Sequence, residues 1–159
     1  MTSKDGEIRL MKILRNVPPP LELVRQKKVF YLGDQEPTGR FLAVNLAECA
    51  MISGARRVEL LALTERWMAV SADADWITPN LYGRKDASME SAFVRMIPLT
   101  GGRPNQIRFE VFVTAFSSRL SVKTGTQWSP IVGDLPPQEI RNRVDRNEFA
   151  VVFKAQLDC

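Results

Sequence analysis

The residue types that could do chemistry in this chain are few. Asn45, Glu48 and Cys49 lie close together in RFLAVNLAECAMI, Asp73 and Asp75 flank Ala74 in SADADW, and Ser117-Ser118 follow an apolar run. Hydroxyls and carboxylates of this kind serve nucleophilic or acid–base catalysis when a base is placed beside them. The chain has no histidine. That excludes histidine metal sites, Ser-His-Asp and Cys-His catalysis, and phosphotransfer through a histidine of this chain. Ser117-Ser118, Asp73 and Asp75 therefore read as caps or solvated loop residues. Cys49 and Cys159 have no metal-ligand spacing. They read as reduced thiols, which suits a cytoplasmic protein.

The elements that must position these residues follow from hydrophobic period and punctuation. In 7–17, Leu10, Ile13, Leu14 and Val17 stand at i, i+3, i+4 and i+7, predicting an amphipathic helix stopped by Pro18-Pro19-Pro20. Residues 21–28 read as a basic connector or short helix. Val29 to Leu32 reads as a strand ended by Gly33-Asp34. A long helix is predicted from about Thr38 to Ser53, with Phe41, Val44, Cys49 and Ile52 on its apolar surface, Asn45 and Glu48 as polar interruptions, and Gly54 as C-cap. Arg57 to Leu63 and Trp67 to Ala72 predict two strands around Thr64-Glu65-Arg66. Residues 73–85 read as an irregular loop. Asp86 is the expected cap of a helix bearing Met89, Phe93, Met96 and Ile97, closed by Pro98. Residues 105–118 fit both periods and are assigned to a helix opened by Pro104. Leu120 to Thr124 and Glu148 to Ala155 predict two further strands. Between them runs a long excursion, 126–147, with a short helix expected after Pro136-Pro137. Helices and strands are segregated. The expected fold is α+β, a two-layer sandwich with a mixed, mostly antiparallel sheet covered by helices on one face.

The 159 residues are 45% hydrophobic and 25% charged, an ordinary globular balance, with no apolar run long enough to span a bilayer and no apolar signal core in MTSKDGEIRL. The net charge of +4 sits at one end: residues 1–28 hold seven Lys/Arg against three Asp/Glu, and the rest is balanced. No aromatics interleave with those charges, so a solvated helix face is favoured over a nucleic-acid surface. The expected organisation is an N-terminal helix and connector over 1–28 and a domain over 29–159 with an insertion at 126–147. That insertion carries Trp128, Ile140, Arg141 and Val144, an apolar-plus-arginine combination that would suit a protein partner.

The segment FYLGDQEPTGRFLAVNLAECAMISGARRVELLAL, with the later VFVTAFSSRLSVKTGT and NEFAVVFKA, resembles the GHKL or Bergerat-fold ATPase superfamily, closest to the catalytic ATP-binding domain of sensor histidine kinases. The resemblance covers roughly 29–155 in element order. It implies a nucleotide pocket. Where the family has Asn-x-x-x-Asn on the long helix, Asn45 matches and Cys49 does not, and a thiol is a poor ligand for hard Mg²⁺. Glu48 does not fall on the position of the family's catalytic glutamate. The Asp-x-Gly-x-Gly box that holds adenine aligns with Ala72, Ala74 and Trp76; a one-residue slip brings in Asp73 but still no glycines. No Gly-x-Gly lid is present, and Gly101-Gly102 reads as a turn.

Three requirements thus fail together. The resemblance implies an ATPase fold kept without hydrolysis, with no cofactor. Asn45, Glu48, Cys49, Ala72, Asp73, Ala74 and Trp76 would be its remnant pocket, and the indole of Trp76 either a loop anchor or a plug. The expected function is a protein-binding regulatory module in bacterial signalling, docking a partner or a second copy through the N-terminal helix. The runner-up is an active Mg-ATP-binding kinase or ATPase with a divergent pocket. A third reading is a nucleic-acid-binding accessory protein. No membrane is expected to take part.

Overall fold

The computed structural model describes residues 19–81 and 88–157. The amphipathic stripe of 7–17, Gly83, Asp86 and Cys159 lie outside them. In chain order the elements are α1 (Pro20–Gln26), α2 (Lys28–Leu32), α3 (Gly39–Ile52), β1 (Glu59–Ala62), β2 (Trp67–Ala72), a 3-10 turn (Thr78–Asn80), α4 (Met89–Val94), α5 (Glu110–Ala115), β3 (Ser117–Thr124), β4 (Gln127–Val132), α6 (Gln138–Asn142) and β5 (Phe149–Ala155). The strands form one sheet in the order β1-β2-β5-β3-β4, every pair antiparallel. The fold is α+β. The parallel component of the expected mixed sheet is confined to an isolated bridge between Thr38 and Leu157.

α3 forms where predicted, for local reasons. Thr38 Oγ1 accepts from Phe41 N at 3.2 Å, capping the first turn. Leu42, Leu46 and Ala50, with Ala43 and Ala47, recur at helical spacing and are buried. The helix ends in a paired motif: Gly54 N–H bonds Met51 O and Ala55 N–H bonds Ala50 O, both at 3.0 Å. Gly54 sits at φ +93°, a conformation a side chain would strain. The β1–β2 hairpin also forms as expected, its turn closed by Thr64 Oγ1 accepting from Arg66 N and Trp67 N.

Three local expectations change. Val29 to Leu32 is helical, not a strand: Tyr31 N–H bonds Lys27 O and Gly33 N–H bonds Val29 O. A four-residue apolar run carries too little period to separate the two states. Of the two readings open for 21–28 the segment takes the short helix, α1, in which Val24 is fully buried and Arg25 Nε donates to Ala115 O at 2.7 Å. The helix before Pro98 is capped by Ser88, in a reciprocal box with Ser91, and ends at Val94; Met96 and Ile97 lie beyond it. Ile97 and Leu99 instead exchange strand-like bonds with Arg108 and Gln106, so only Glu110–Ala115 of the ambiguous 105–118 run is helix.

The excursion 126–147 is largely ordered structure. Its first part is β4, which hairpins directly onto β3 around Gly125 (φ +59°). Pro130 hid this strand from the sequence, because a proline is tolerated in a sheet only where its missing N–H faces outward, and β4 is an edge. α6 begins behind Pro136-Pro137, as the paired prolines predict.

The two faces of the sheet are both used. Met68 and Val70 of β2, Leu120 and Val122 of β3, and Phe149, Val151 and Phe153 of β5 pack beneath the α1, α3 and α5 layer. On the opposite face Trp67, Ala69, Ala150 and Val152 pack against Ile140 and Val144 from α6 and the turn after it. The helical layer is therefore matched by a smaller apolar cluster behind the sheet. Among the described residues no helix is long and apolar enough to cross a membrane.

Candidate functional site

The residues singled out by sequence divide between two places. Asn45, Glu48 and Cys49 sit on α3; Ala72 ends β2, and Asp73, Ala74 and Trp76 lie in the loop that follows. That loop is pinned against the C-terminal end of α3. Asp75 Oδ1 accepts from Ile77 N at 2.7 Å and Thr78 N at 3.1 Å, and Asn80 Nδ2 donates to Trp76 O at 2.8 Å and Ser53 O at 3.0 Å. Between them lies a cleft of about 180 Å³ bordered by Ser53, Gly54, Ala74, Asp75 and Trp76. Pockets for small ligands run from about 300 to 1,000 Å³, so this space falls short of a nucleoside triphosphate.

Of the expected pocket residues, Asp73, Ala74 and Trp76 border that cleft, whereas Asn45, Glu48, Cys49 and Ala72 do not. The Asn45 carboxamide donates back to Phe41 O of its own helix at 2.9 Å. Glu48 is exposed, and Ala72 is buried in the ladder opposite Phe149. Asp73 and Ala74 are exposed at the cleft rim. The Trp76 ring is 2% exposed and stands edge-on to Phe149, ring centres 4.8 Å apart and planes at 82°. It is a core residue, with its indole N–H left without an acceptor.

Cys49 turns toward a group that sequence reasoning did not single out. Its thiol donates to Glu110 Oε2 at 3.5 Å, and Glu110 Oε1 accepts from Arg108 Nη2 at 2.5 Å. Arg108 Nη1 reaches Ser53 Oγ at 3.3 Å. The ion pair is 1% and 0% exposed. The signal for it was present: in IRFEVFV two opposite charges interrupt an otherwise apolar run at i and i+2. Burial first, and then the neighbouring Glu110 carboxylate, pushes the Cys49 thiol up to about 12. Such a thiol is not a nucleophile at neutral pH. In a Cys159→Ser background, Cys49 is expected to resist thiol reagents at pH 8, where roughly one thiol in ten thousand is ionised, and to react at once in denaturant. Rapid labelling of the folded protein would place Cys49 in solvent.

The partner surface expected on the insertion is mostly internal. Ile140 is 4% and Val144 0% exposed, both packed against the back of the sheet, with Trp128 half-buried beside them. Arg141 Nε donates to Pro136 O at 3.0 Å and stabilises its own turn. A more polar cleft of about 320 Å³ near the end of β2 gathers Arg57 and Arg146 with Glu59, Asp73 and Glu148. Its two arginines stand among three carboxylates, a lining that does not favour an anion. No group of three or more Cys, Asp or Glu side chains among the described residues is placed to hold a metal ion.

The apolar surface lies elsewhere. Val29 and Phe30 on α2 are 70% and 80% exposed. Phe30 stands edge-on to Tyr31 at 5.0 Å, and ring contacts continue through Phe112 and Phe109 to Phe41 on α3. Comparison with protein-family models, with curated proteins and with solved structures finds no match for this chain.

Proposed function

We propose that this chain is a protein-binding regulatory module in which the ATP chemistry of the histidine-kinase-like fold it resembles has given way to packing. The observation that carries the reading is the exposed pair Val29 and Phe30. Burying a side chain of this kind is worth about 1.5–3 kcal/mol. Phe30 is backed by a chain of rings reaching into the core, the sort of rigid aromatic anchor on which interfaces concentrate their energy. The loss of hydrolysis is supported by Cys49 standing where a second carboxamide would be, by the inward bond of Asn45 and by the core position of Trp76. The regulatory setting, bacterial signalling, rests on the resemblance alone.

Two measurements test the reading separately. Mg-ATP at millimolar concentration is expected to leave the melting temperature unchanged. A ligand at 100 times its dissociation constant stabilises by about 2.7 kcal/mol, so a Mg-dependent rise would turn the assignment to an active ATP-binding protein. A photo-crosslinking residue at position 30 is expected to trap a discrete protein in the native host, and one at position 48 is not. Equal trapping at both, or at neither, counts against a partner surface on α2.

A further inference from the structure

We propose that the chain's own N-terminal stripe, within residues 7–17, covers Val29 and Phe30 on α2 until a partner displaces it, and so gates that surface. The gate rests on the reading of α2 as a partner surface. Residues 7–17 lie outside the described residues; what recommends them is their sequence and the place where the described chain begins. α2 is itself firmly seated. Leu32 is buried, and the Tyr31 ring lies 5.6 Å from that of Phe112. Only its other side, Val29 and Phe30, is left open. Of the cations beside that pair, Lys28 is held by Glu36 at 3.1 Å and Arg25 is turned to Ala115 O, and the exposed Asp34 follows α2. The complement of such a patch is an apolar face, not an anionic lipid surface, which a run of free cations would select.

The N-terminal stripe supplies that face. Leu10, Ile13, Leu14 and Val17 share one side at helical spacing. A helix shorter than about 12 residues is marginal alone in water and takes its stability from packing that side. Three successive prolines, 18 to 20, then forbid it to run on into α1, because each fixes φ and holds the residue before it extended. Pro19, where the described chain begins, is extended at φ −53° and ψ 152°, and α1 starts at Pro20. The chain must therefore turn between the stripe and α1. The seven residues of α1 rise about 10 Å, and Leu10 to Val17 rises about the same. Turned back along α1, the stripe brings Leu10 level with the start of α2. So short a tether holds it near Val29 and Phe30 at a millimolar effective concentration, ahead of any free protein.

Photo-crosslinking of the purified full chain tests the contact. A benzoylphenylalanine in place of Phe30, in an equal mixture of light and isotopically heavy copies, is expected to crosslink to a peptide within 7–17, light to light and heavy to heavy. Absence of that crosslink overturns the proposal, and so does scrambling of the isotopes, which would put a second copy on α2. Leu10→Asp combined with Leu14→Asp is expected to abolish the crosslink. In the native host the same double variant is expected to raise capture of the partner at position 30 by roughly tenfold, the gain when the covered form holds about nine-tenths of the chain. Asn16→Asp adds the same charge off the stripe and is expected to change neither result. Partner capture that the double variant leaves unchanged overturns the gate. The purified-chain result needs no partner and no Asp variant. Failure there removes the gate and leaves the partner surface, whereas a crosslink to 7–17 with no host protein captured by either form removes the partner and leaves the contact.

Discussion

Replacing Glu110 with alanine is expected to destabilise the fold by about 3–5 kcal/mol, the cost of breaking a buried ion pair from one side. Arg108 is 1% exposed, and its Nε already lacks an acceptor. The guanidinium does not shed its proton inside a protein, so without Glu110 it would keep a full charge with only Ser53 Oγ in reach. Glu110→Gln keeps an oxygen near Arg108 Nη2 and is expected to cost less. Arg108→Met combined with Glu110→Leu removes both charges and refills the volume, and is expected to be near neutral or stabilising. Urea unfolding at constant pH measures all three, with an unchanged slope certifying that the denatured state is the same. For a chain of this length the alanine variant should melt about 6–20 °C lower. A loss under 1 kcal/mol would mean that water reaches the pair. The Cys49 thiol gives the same region a pH dependence of its own. Raised to about 12 in the folded state from 9.0, it contributes stability that is fully present below pH 9 and is lost as pH rises toward 12.

The parts of the fold that were legible in the sequence are those specified locally. α3 has its cap at Thr38, its apolar period and its terminal Gly54; the β1–β2 hairpin has alternation and a Thr64 turn; β5 is a continuous apolar run. The rest depends on contacts between distant residues. Whether Val29 to Leu32 became strand or helix was decided by what α2 packs on, not by its own four side chains. Residues 97–108 pair as extended segments because Ile97 and Arg108 meet across a turn, overriding the helical spacing that Ile107 shares with Val111. The candidate site divides in the same way. Asn45 and Glu48 were recognisable as polar interruptions on one helix. The turn of Cys49 toward Glu110 joins residues 61 positions apart, and no local pattern encodes it. Nor does an apolar run announce that it will be exposed: Val29-Phe30 and Ile140 are written in the same residue types, and only tertiary packing separates surface from core.

Trp76 tests whether the loop after β2 guards an old pocket or simply completes the core, and Trp76→Ala is expected to cost about 3–5 kcal/mol, as large aromatic truncations in cores do. The ring lies against Phe149, and the neighbouring Ile77 is fully buried, so its removal leaves a cavity inside the helix–sheet interface rather than an opening at the surface. The loop backbone is held independently by Asp75 and Asn80, which limits how far it can collapse into the gap. Trp76→Phe separates two opposing effects. It loses ring volume, but it also removes a buried N–H that has no acceptor, a group whose burial costs about 1–3 kcal/mol. The net change is expected to stay within about 1.5 kcal/mol. A plug would behave differently on both counts. Trp76→Ala would then leave stability nearly intact and enlarge the cleft bordered by Ser53 and Asp75 into a space that Mg-ATP could enter. Unfolding in urea and melting with and without Mg-ATP, on the same variant, distinguish the two. A large loss of stability with no response to nucleotide is the result expected of a core residue, because the free energy of the indole is then invested in Phe149 and the sheet, not in excluding a ligand.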